Sequence, residues 1–581
     1  MAKSTIAPAI LQRAETWLND SNIDTETKKS IQHLINNDPA ELTESFYADL
    51  EFGTGGLRGI MGVGTNRMNK YTVGKATQGL ANYLKKCYPS QDISVAIGFD
   101  CRNNSDYFSK IAAQVLSANG IQVFLFENLR PTPELSFAVR FFGCQSGIMI
   151  TASHNPKEYN GYKVYWNDGA QLVPPHDKNV IDEVLKIKSI AEVNFNENRM
   201  LIEMVGTALD KEYLKAVKSY SLVPSLVKKY SNLSIVYTPL HGTGITILPE
   251  GLKNFGFKNV NIVEEQAVPD GNFPTVASPN PEEQSAMKMA LEKAKKINAD
   301  IILASDPDAD RIGVGVKNLK GEYVLLNGNQ TAALLTYYLA KQWELQGKLT
   351  GKEFMVKTIV TSELLTDIAE KAGIEIFDVL TGFKWIAEVI RNNEGKKKFI
   401  GGGEESYGYM VGDFVRDKDS IIACSMFAEC NVWALSQGKS IFELLIDMYM
   451  EYGFYKEKLV NIVRKGISGQ QEIKDMMKNY RENPPKEIAG NAVVQIKDYQ
   501  LQIDKNLKTG KEKPIKIPKS NVLQFFLKDG SKISVRPSGT EPKIKFYISV
   551  KEKLNSKADF EKTEKQLDAK INDILNSMKL S

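Results

Sequence analysis

Residues 299–311 read Ala-Asp-Ile-Ile-Leu-Ala-Ser-Asp-Pro-Asp-Ala-Asp-Arg, an apolar run that ends in three alternating aspartates. A short apolar run bounded by turn residues predicts a buried strand, with the aspartates just beyond its carboxyl end. Strands of this kind alternate with helical stretches along the chain, which favours an α/β fold with mainly parallel sheets. In such sheets ligands bind at the carboxyl ends of strands. Four more apolar runs end in polar turns: Ile93–Ile97, Gly147–Ile150, Leu233–Tyr237 and Lys398–Ile400.

Both ends of the chain depart from this alternation. Apolar residues at helical spacing over residues 8–37 predict a packing helix. After about residue 456 come helical segments, a Lys/Pro-rich stretch at 505–519 that reads as a solvated loop, and strand-like runs at Val522–Leu527 and Ile544–Val550. We therefore expect a smaller α+β domain at the C-terminal end.

Length and composition indicate a large globular protein. With 581 residues, 42 % hydrophobic and 25 % charged, the chain has room for about four domains. The 74 basic and 70 acidic residues leave a net charge of +4, which excludes a general binder of nucleic acid. Five scattered cysteines without a CxxC pair argue against a disulfide framework or a thiolate zinc site. No signal peptide or membrane span is visible, so we expect a cytoplasmic protein without a membrane partner.

The aspartate motif predicts a metal site. Asp306, Asp308 and Asp310 would repel one another unless a cation offset their charge. Hard oxygen ligands suit Mg²⁺ or Ca²⁺. An EF-hand is excluded because its sixth and twelfth positions would be Arg311 and Lys317. Few ligands from one loop leave coordination sites open, which favours Mg²⁺ with a phosphoryl oxygen. The plain alternative is a capping turn rich in aspartate.

Thr151–Pro156 (Thr-Ala-Ser-His-Asn-Pro) places a hydroxyl at a strand end. Ser153 is a candidate nucleophile there, although Ser and Asn are also common in turns. His154 is one of only four histidines, and such a residue is more often a hydrogen-bonding neighbour than a base. Lys163 follows ten residues after Ser153 and is close enough in sequence to return to the same pocket.

Three further loops carry polar or glycine-rich patterns. Arg536–Pro542 (Arg-Pro-Ser-Gly-Thr-Glu-Pro) fits a phosphate cradle, because it offers a guanidinium, two hydroxyls and N–H groups around a glycine. It is not a Walker loop. Gly53–Gly59 holds Arg58 in a glycine-rich turn that is a weak signal alone. In Gly403–Gly408, Glu404 and Ser406 are spaced to grip adjacent sugar hydroxyls, with a surface loop as the alternative.

Together these motifs closely resemble the α-D-phosphohexomutase superfamily, in the family's order and over nearly the whole chain. Gly-Glu-Glu-Ser-Tyr-Gly looks like the phosphoglucomutase branch, since other branches carry a histidine that is absent here. The N-terminal helix and the length look most like bacterial phosphoglucomutase-2-type, phosphopentomutase-like members. The resemblance implies four domains around a central cleft, three with a shared mixed α/β core and a smaller α+β lid. The expected domains are residues 1–210 (phosphoserine), 211–325 (metal), 326–455 (sugar) and 456–581 (phosphate).

The resemblance also implies residue roles. Ser153 would carry the phosphoryl group and hold Mg²⁺ together with Asp306, Asp308 and Asp310, with Arg311 supporting that loop. The implied catalytic set is Ser153, His154, Lys163, Arg58 and Lys418, of which Lys418 is one residue out of the family spacing. The implied substrate-binding set is Thr381, Gly382, Lys384, Glu404, Ser406, Arg416, Arg536, Ser538, Gly539 and Thr540.

The implied activity interconverts glucose 1-phosphate and glucose 6-phosphate through a phosphoserine and glucose 1,6-bisphosphate. Sugar phosphates would be the only partners of a monomer or weak homodimer. Alternatives within the class are a phosphopentomutase, a broader phosphohexomutase that takes mannose phosphates, and a sugar-bisphosphate synthase. An aspartyl-phosphate phosphatase would carry Thr or Val where this chain has Asp310. A sugar-phosphate sensor without catalysis is the non-enzyme alternative.

Overall fold

The computed structural model describes residues 6–53, 55–464, 466–538 and 543–580. The chain divides into two compact units. Unit 1 comprises residues 1–326, 387–394 and 407–433, and unit 2 comprises residues 327–386, 395–406 and 434–581.

Unit 1 begins with three helices, α1 (Pro8–Asn19), α2 (Thr25–Asn37) and α3 (Pro39–Phe46). The single helix predicted over 8–37 is therefore two helices. The break has a local cause, because the Asp24 carboxylate accepts a hydrogen bond from Thr27 N–H at 2.8 Å and starts α2 afresh. The three helices share a small core of Ala14, Ile31, Leu42 and Phe46.

The first sheet of unit 1 has the strand order β1-β5-β4-β2-β3-β6. Its strands are β1 (Gly56–Ile60), β2 (Ser94–Phe99), β3 (Gln122–Phe126), β4 (Ser146–Ile150), β5 (Tyr159–Trp166) and β6 (Ile202–Val205). Its helices are α4 (Lys70–Cys87), α5 (Ser105–Ala118), α6 (Thr132–Phe141) and α7 (His176–Lys186). Strands β4, β2, β3 and β6 run parallel, whereas β1 and β5 pair antiparallel.

The second sheet of unit 1 follows the same plan, in the order β11-β10-β9-β7-β8. Its strands are β7 (Ile235–Thr238), β8 (Val260–Ile262), β9 (Ile301–Ser305), β10 (Ile312–Lys317) and β11 (Tyr323–Leu326). Its helices are α8 (Thr207–Lys218), α9 (Pro224–Lys229), α10 (Leu248–Phe255), α11 (Glu264–Ala267) and α12 (Lys288–Ile297). Strands β7, β8 and β9 are parallel, and β10 and β11 are antiparallel.

The parallel strands expected from the sequence are present, and each of these two sheets adds antiparallel strands at one side, which makes it mixed. The physical reason lies in the connections. Strand β5 follows β4, and β10 follows β9, after loops of six to eight residues, which are too short for the crossover that a parallel pair needs. The serine motif and the aspartate motif occupy these two hairpin loops.

Unit 2 contains the parallel strands β12 (Glu353–Thr358), β13 (Glu375–Val379) and β14 (Lys398–Glu404). Helices α13 (Gly328–Leu345) and α14 (Leu364–Lys371) belong to the same part, and α15 (Phe383–Asn393) begins there and ends in unit 1. Strand β15 (Gly408–Val411) lies in unit 1, where α16 (Ser420–Ser436) also begins. Helix α16 is apolar on every side and buried for most of its length, as expected of a core helix.

The C-terminal part of unit 2 is a sheet with helices, ordered β16-β23-β22-β21-β18-β19-β20, with β17 paired to β18. Its strands are β16 (Phe454–Val463), β17 (Glu487–Ile488), β18 (Asn491–Asp498), β19 (Ile503–Asn506), β20 (Glu512–Pro514), β21 (Leu523–Leu527), β22 (Lys532–Pro537) and β23 (Lys543–Glu552). Its helices are α17 (Ile441–Tyr452), α18 (Gly466–Glu482) and α19 (Phe560–Ser577). The stretch at 505–519 is largely exposed, as predicted, but it is not wholly a loop, because β19 and β20 pair there as a hairpin.

The α/β fold class with a smaller β-rich C-terminal part is confirmed. Among the described residues, no helix combines the length and the apolar character that a membrane crossing requires.

Candidate active site

Ser153 lies in the loop between β4 and β5, which we call the serine loop (residues 151–158). Its backbone has φ 54°, a left-handed conformation that side chains disfavour, and the residue is 4 % exposed. Its N–H donates to Thr151 Oγ1 at 2.8 Å. Its hydroxyl donates to Asp306 Oδ2 at 2.9 Å and lies 3.1 Å from His154 Nδ1. The nucleophile candidate therefore faces the acidic motif directly.

The aspartate loop (residues 306–311) links β9 to β10 and is folded by its own carboxylates. Asp306 Oδ1 accepts hydrogen bonds from the N–H groups of Asp310 and Arg311, both at 3.1 Å. Asp308 Oδ2 accepts from Thr132 Oγ1, at the start of α6, at 3.0 Å. All three aspartates are buried, so their charges cannot be offset by water.

The three aspartates fit a hard cation. One oxygen from each carboxylate lies within 4.8 Å of the others. Within the part of the chain that the structure describes, Oδ1 of Asp308 and Oδ1 of Asp310 are buried and accept no hydrogen bond. Burial and repulsion from Asp308 and Asp310 raise the pKa of Asp306 well above its usual range. Buried oxygens without protein donors, in a ring of like charges, are what Mg²⁺ or another hard cation satisfies.

Two lysines reach the same carboxylates. Lys163, on β5, donates to Asp308 Oδ2 at 2.7 Å and lies 3.5 Å from Asp310 Oδ2. Lys418, just before α16, lies 2.9 Å from Asp310 Oδ2. Burial alone would lower the pKa of Lys163, but Asp308 and Asp310 outweigh it and raise that pKa. Burial would likewise raise the pKa of Asp308, but Lys163 outweighs it and the pKa is lowered. Lys163 therefore carries a proton beside the serine and aspartate loops.

His154 is held as a neutral imidazole. Burial, together with the positive charges of Arg311 and Arg58, lowers its pKa to about 2. Arg311 itself pairs with Glu282 at 2.6 Å, which anchors the end of the aspartate loop. At physiological pH, His154 is thus a hydrogen-bonding neighbour of the serine hydroxyl.

Arg58 is exposed on β1, and the pairing of β1 with β5 sets its place. In that register Gly56 lies opposite Lys163. Gly56 has φ +126°, and a Cβ there would lie 1.8 Å from Tyr162 O, so only glycine allows this approach. The charges of Asp308 and Asp310 act on the Arg58 guanidinium, which belongs to the same electrostatic cluster.

Unit 2 holds the predicted sugar and phosphate residues. Glu404 ends β14 and is buried, and Ser406 follows it half-buried. The neighbouring Glu405 accepts hydrogen bonds from Thr358 Oγ1 at 3.0 Å and Thr361 Oγ1 at 3.2 Å, which fixes the loop after the strand. The remaining predicted residues of this kind, Thr381, Gly382 and Lys384, lie half-buried where α15 begins.

Arg536 lies at the end of β22 opposite Lys545, and Ser538 N–H donates to Lys543 O at 2.7 Å. Burial and Glu405 raise the pKa of the neighbouring Tyr547, whereas the charge of Arg536 and a hydrogen bond with it oppose the rise. The structure thus brings Arg536 close to the loop of Glu404 and Glu405. The predicted Gly539 and Thr540 lie outside the described residues.

Arg416, also predicted to bind substrate, has a guanidinium with no exposed surface. It pairs with Glu394 at 3.1 Å and donates to the Asp413 and Val415 carbonyls. These contacts support the chain before Lys418, and a substrate contact for Arg416 stays a prediction.

Sequence reasoning missed several supporting residues. Thr132 at the start of α6 contacts Asp308, and Tyr547 contacts Arg536. Asp100 and Arg102, after β2, contact the serine loop. The only available signal was the position of Asp100 at a strand end, without a recognisable motif around it.

Comparison with known proteins places these loops in a family context. The chain matches three alpha/beta/alpha domains of the phosphoglucomutase/phosphomannomutase family. Domain I matches residues 49–191, domain II residues 211–321 and domain III residues 327–452. A phosphoglucomutase of Staphylococcus haemolyticus is 38 % identical over 511 residues, covering 87 % of this chain and 91 % of that protein. A phosphoglucomutase of Staphylococcus epidermidis is 36 % identical over 533 residues, covering 91 % and 96 %.

Two solved structures share the fold. One is the Paramecium phosphoprotein pp63/parafusin, a phosphoglucomutase, in its open form, with a TM-score of 0.69 and 19 % identity over 91 % of this chain and 96 % of that one. The other is a phosphoglucomutase/phosphomannomutase family protein of Burkholderia thailandensis, with a TM-score of 0.62 and 16 % identity over 90 % and 97 %.

Proposed function

The chain belongs to the phosphoglucomutase/phosphomannomutase family, and from that premise we propose that it is a phosphoglucomutase. It interconverts α-D-glucose 1-phosphate and glucose 6-phosphate. The observation that carries the proposal is the hydrogen bond from Ser153 Oγ to Asp306 Oδ2 at 2.9 Å. A serine hydroxyl set against three buried carboxylates and a protonated lysine suits a phosphoryl group held and released at one oxygen.

Phosphoryl transfer depends mainly on positioning and on charge neutralisation. We propose that Asp306, Asp308 and Asp310 hold Mg²⁺ together with Ser153, and that Arg311 steadies their loop. When bound, Mg²⁺ would supply positive charge next to the oxygens of the transferring phosphoryl group.

Phosphoryl transfer also requires a proton to move, and Lys163 is placed to carry it. When the phosphoryl group leaves Ser153 Oγ for a sugar hydroxyl, the serine oxygen gains a proton and the hydroxyl loses one. We propose that Lys163, whose pKa is raised by Asp308 and Asp310 despite burial, gives its proton to the serine oxygen and is reprotonated by the proton that the sugar hydroxyl releases, with the reverse transfers in the reverse step. His154, Arg58 and Lys418 would orient and neutralise the reacting groups around it.

A mutase must accept its bisphosphate intermediate in two orientations, so it needs groups that bind the sugar and the phosphate that is not reacting. For the sugar we propose Glu404 and Ser406 together with Thr381, Gly382 and Lys384. For the phosphate we propose Arg536 and Ser538 with Gly539 and Thr540, the last two on the resemblance alone. The fit of a carboxylate for hydroxyls and a guanidinium for phosphate supports these roles.

The proposal also covers the ion, the intermediate, the cellular location, the oligomeric state and the domains. We propose Mg²⁺ as the ion, glucose 1,6-bisphosphate as the intermediate that primes Ser153, and a cytoplasmic monomer or weak homodimer. We also propose that the chain is organised in domains over residues 1–210, 211–325, 326–455 and 456–581.

The test is a turnover assay with Mg²⁺ and a trace of glucose 1,6-bisphosphate, in which glucose 1-phosphate and ribose 1-phosphate are compared. We expect faster turnover of the hexose and a loss of at least about 10³-fold in kcat for Ser153→Ala, since this change removes the group that carries the phosphoryl. The matched control is Ser109→Ala, because Ser109 is a buried serine whose hydroxyl bonds Asp106 O within its own helix.

Faster turnover of ribose 1-phosphate would assign a phosphopentomutase to the same serine chemistry. Mutase activity that survives in Ser153→Ala would refute the role of Ser153. Binding of glucose 1-phosphate without turnover by the native chain would favour the sensor.

A further inference from the structure

The arginine that follows β2 wraps the backbone of the serine loop. Arg102 has no exposed side-chain surface. Its guanidinium donates to Ser153 O at 2.5 Å, to Pro156 O at 2.9 Å, to Tyr159 O at 3.0 Å and to Asn155 O. One side chain therefore gathers the carbonyl groups of the reactive serine and of the turn that follows it.

The residue two positions earlier makes a second tie to the same loop. Asp100 Oδ2 accepts a hydrogen bond from the Thr151 hydroxyl at 2.6 Å, and Thr151 Oγ1 in turn accepts one from the N–H of Ser153. Asp100 Oδ1 accepts from Ser105 Oγ at 2.7 Å and from Arg102 N–H at 2.9 Å. The N–H side of Ser153 is thus held through Asp100, and its carbonyl side through Arg102.

The loop needs this support because of its backbone. Ser153 has φ 54°, a conformation that persists in a residue with a side chain only where its surroundings over-determine it. The conformation has a use here, since the same residue directs its hydroxyl at Asp306. A relaxed loop would aim the hydroxyl elsewhere.

Gly271 and Phe273 pack against Arg102 and the residue after it, on the side away from the serine loop. The Phe273 ring centre lies 5.1 Å from the guanidinium carbon. Gly271 packs so tightly that a Cβ there would lie 2.3 Å from Asn103 N. Arg102 is therefore enclosed by the aromatic ring on one side and the loop carbonyls on the other. This enclosure leaves it placed to hold the loop and unable to reach a substrate phosphate.

We propose that Arg102 is a positioning residue for phosphoryl transfer, which holds the serine loop so that Ser153 Oγ stays aimed at the aspartates. This inference rests on the proposed function, since it assumes that Ser153 carries the phosphoryl group. It predicts a defect in the chemical step, with little change in sugar binding, because Arg102 acts through the backbone of another residue.

The experiment compares Arg102→Lys with Arg67→Lys. Arg67 is a matched control, because it is another buried arginine that donates four hydrogen bonds, to Glu41 and to the Glu44 and Asn66 carbonyls, away from the serine loop. A lysine ammonium has fewer donors and no planar fork, so both variants lose several bonds. We expect kcat to fall about 100-fold in Arg102→Lys, with KM for glucose 1-phosphate within about threefold of the native value. Arg67→Lys should melt earlier but keep its kcat.

A second readout is the rate at which glucose 1,6-bisphosphate phosphorylates Ser153, followed by intact mass. It should fall in parallel with kcat for Arg102→Lys and stay unchanged for Arg67→Lys. If Arg102→Lys does not fold, the Thr151→Val variant is measured in its place. It removes the hydrogen bond from Thr151 to Asp100 and keeps the shape of the side chain. We expect the same split between kcat and KM, at about tenfold in kcat.

Native kcat in the Arg102 variant, or in Thr151→Val where that variant has to decide, would overturn the inference. An equal kcat loss in Arg67→Lys would also overturn it, because the effect would then follow stability alone. An inactive native chain would instead count against the proposed function, so the two failures are distinguishable.

Discussion

At the scale of single residues, the aspartate loop carries its own counter-charges. Lys163 Nζ lies 2.7 Å from Asp308 Oδ2, and Lys418 Nζ lies 2.9 Å from Asp310 Oδ2. A divalent ion at the carboxylates would compete with these ammonium groups, because like charges at such distances repel strongly in a buried site. The lysines thus help to set both the stability of the loop and its affinity for a cation.

We expect Lys163→Met to lower the melting temperature of the metal-free protein and to enlarge the increase that Mg²⁺ produces. The variant leaves a buried carboxylate without its partner, which destabilises the fold until a cation replaces the lost charge. Turnover should be lost, since the proposed proton carrier is gone. Melting curves with and without Mg²⁺, in the presence of enough chelator to clear traces of metal, measure the effect.

Lys110→Met is the control for this experiment, because Lys110 pairs with Asp106 on an exposed helix face. Its Mg²⁺ response should equal that of the native chain. A Lys163→Met protein with an unchanged or smaller Mg²⁺ response would show that Lys163 does not compete with the ion.

The residues of the site differ in how readily the sequence reveals them. Ser153, the three aspartates and Lys163 stand in or near local motifs, so the sequence could predict that they lie together, as the structure shows, while their roles stay predictions. Arg102 could not, because its partners Ser153 and Tyr159 lie more than fifty positions away. A residue that acts by binding distant carbonyls leaves no pattern around itself.

At the scale of elements, a single carboxylate starts α16. Asp419 Oδ1 accepts from the N–H groups of Ile421 at 2.8 Å and Ile422 at 3.1 Å, and Oδ2 accepts from Tyr213 Oη at 2.7 Å. Burial nevertheless raises the pKa of Asp419 to about 6, against these hydrogen bonds. The buried helix therefore begins at a group that titrates at mildly acidic pH.

We expect Asp419→Asn to flatten the dependence of stability on pH between about 4 and 6. The folded-state pKa is above the unfolded value of about 3.9, so the folded protein binds this proton more tightly. The contribution of Asp419 to stability is then largest at low pH and declines as pH rises through about 6. Asparagine caps a helix as well as aspartate does, so the helix should persist. Melting temperatures from pH 4 to pH 8 for both proteins give the comparison.

An identical pH profile for the two proteins would contradict this prediction. A uniform drop at every pH would instead show that the substitution only weakens the cap.

The elements also show where local pattern fails. The strands that end at Ile150 and Ser305 could be placed from their apolar runs, but their antiparallel neighbours could not. Strand direction depends on which partner is adjacent, and this is a property of the fold that a window of residues does not contain. The hairpin of β19 and β20 was hidden for a related reason, because these strands lie at the edge of the sheet with little buried surface and hence show no apolar alternation.

At the scale of the whole molecule, the resemblance to the superfamily predicted the fold class correctly. It could not predict the buried charges that hold unit 2 together. Lys357 and Lys532 are both buried, and both ammonium groups contact Glu363 Oε1, at 3.1 and 2.5 Å. Lys357 also pairs with Asp378 at 2.7 Å. Glu363 therefore links β12 to β22 of the C-terminal sheet.

We expect Glu363→Gln to destabilise unit 2 by about 3 kcal/mol, because it leaves two buried ammonium groups with one carboxylate between them. Hydrogen exchange in β12, β22 and α14 under rising urea would locate the loss. The double variant Glu363→Gln/Lys532→Met should recover part of it, since one uncompensated charge is then removed.

Equal stability of Glu363→Gln and the native chain would mean that solvent reaches these lysines. A double variant less stable than the single one would mean that Lys532 contributes mainly through its bonds to the Ile359 and Thr361 carbonyls.

Unit 1 is assembled from residues 1–326, 387–394 and 407–433, and this order has a consequence for its synthesis on the ribosome. The aspartate loop emerges about a hundred residues before Lys418, which at about 5 to 20 residues per second is a delay of about 5 to 20 s. During that interval Lys163 and Arg311 face the aspartates without Lys418. The site therefore gains its full set of positive charges only after residues 407–433, which include Lys418, have been translated. A chain that ends before this segment would lack the positive charge of Lys418 beside Asp310.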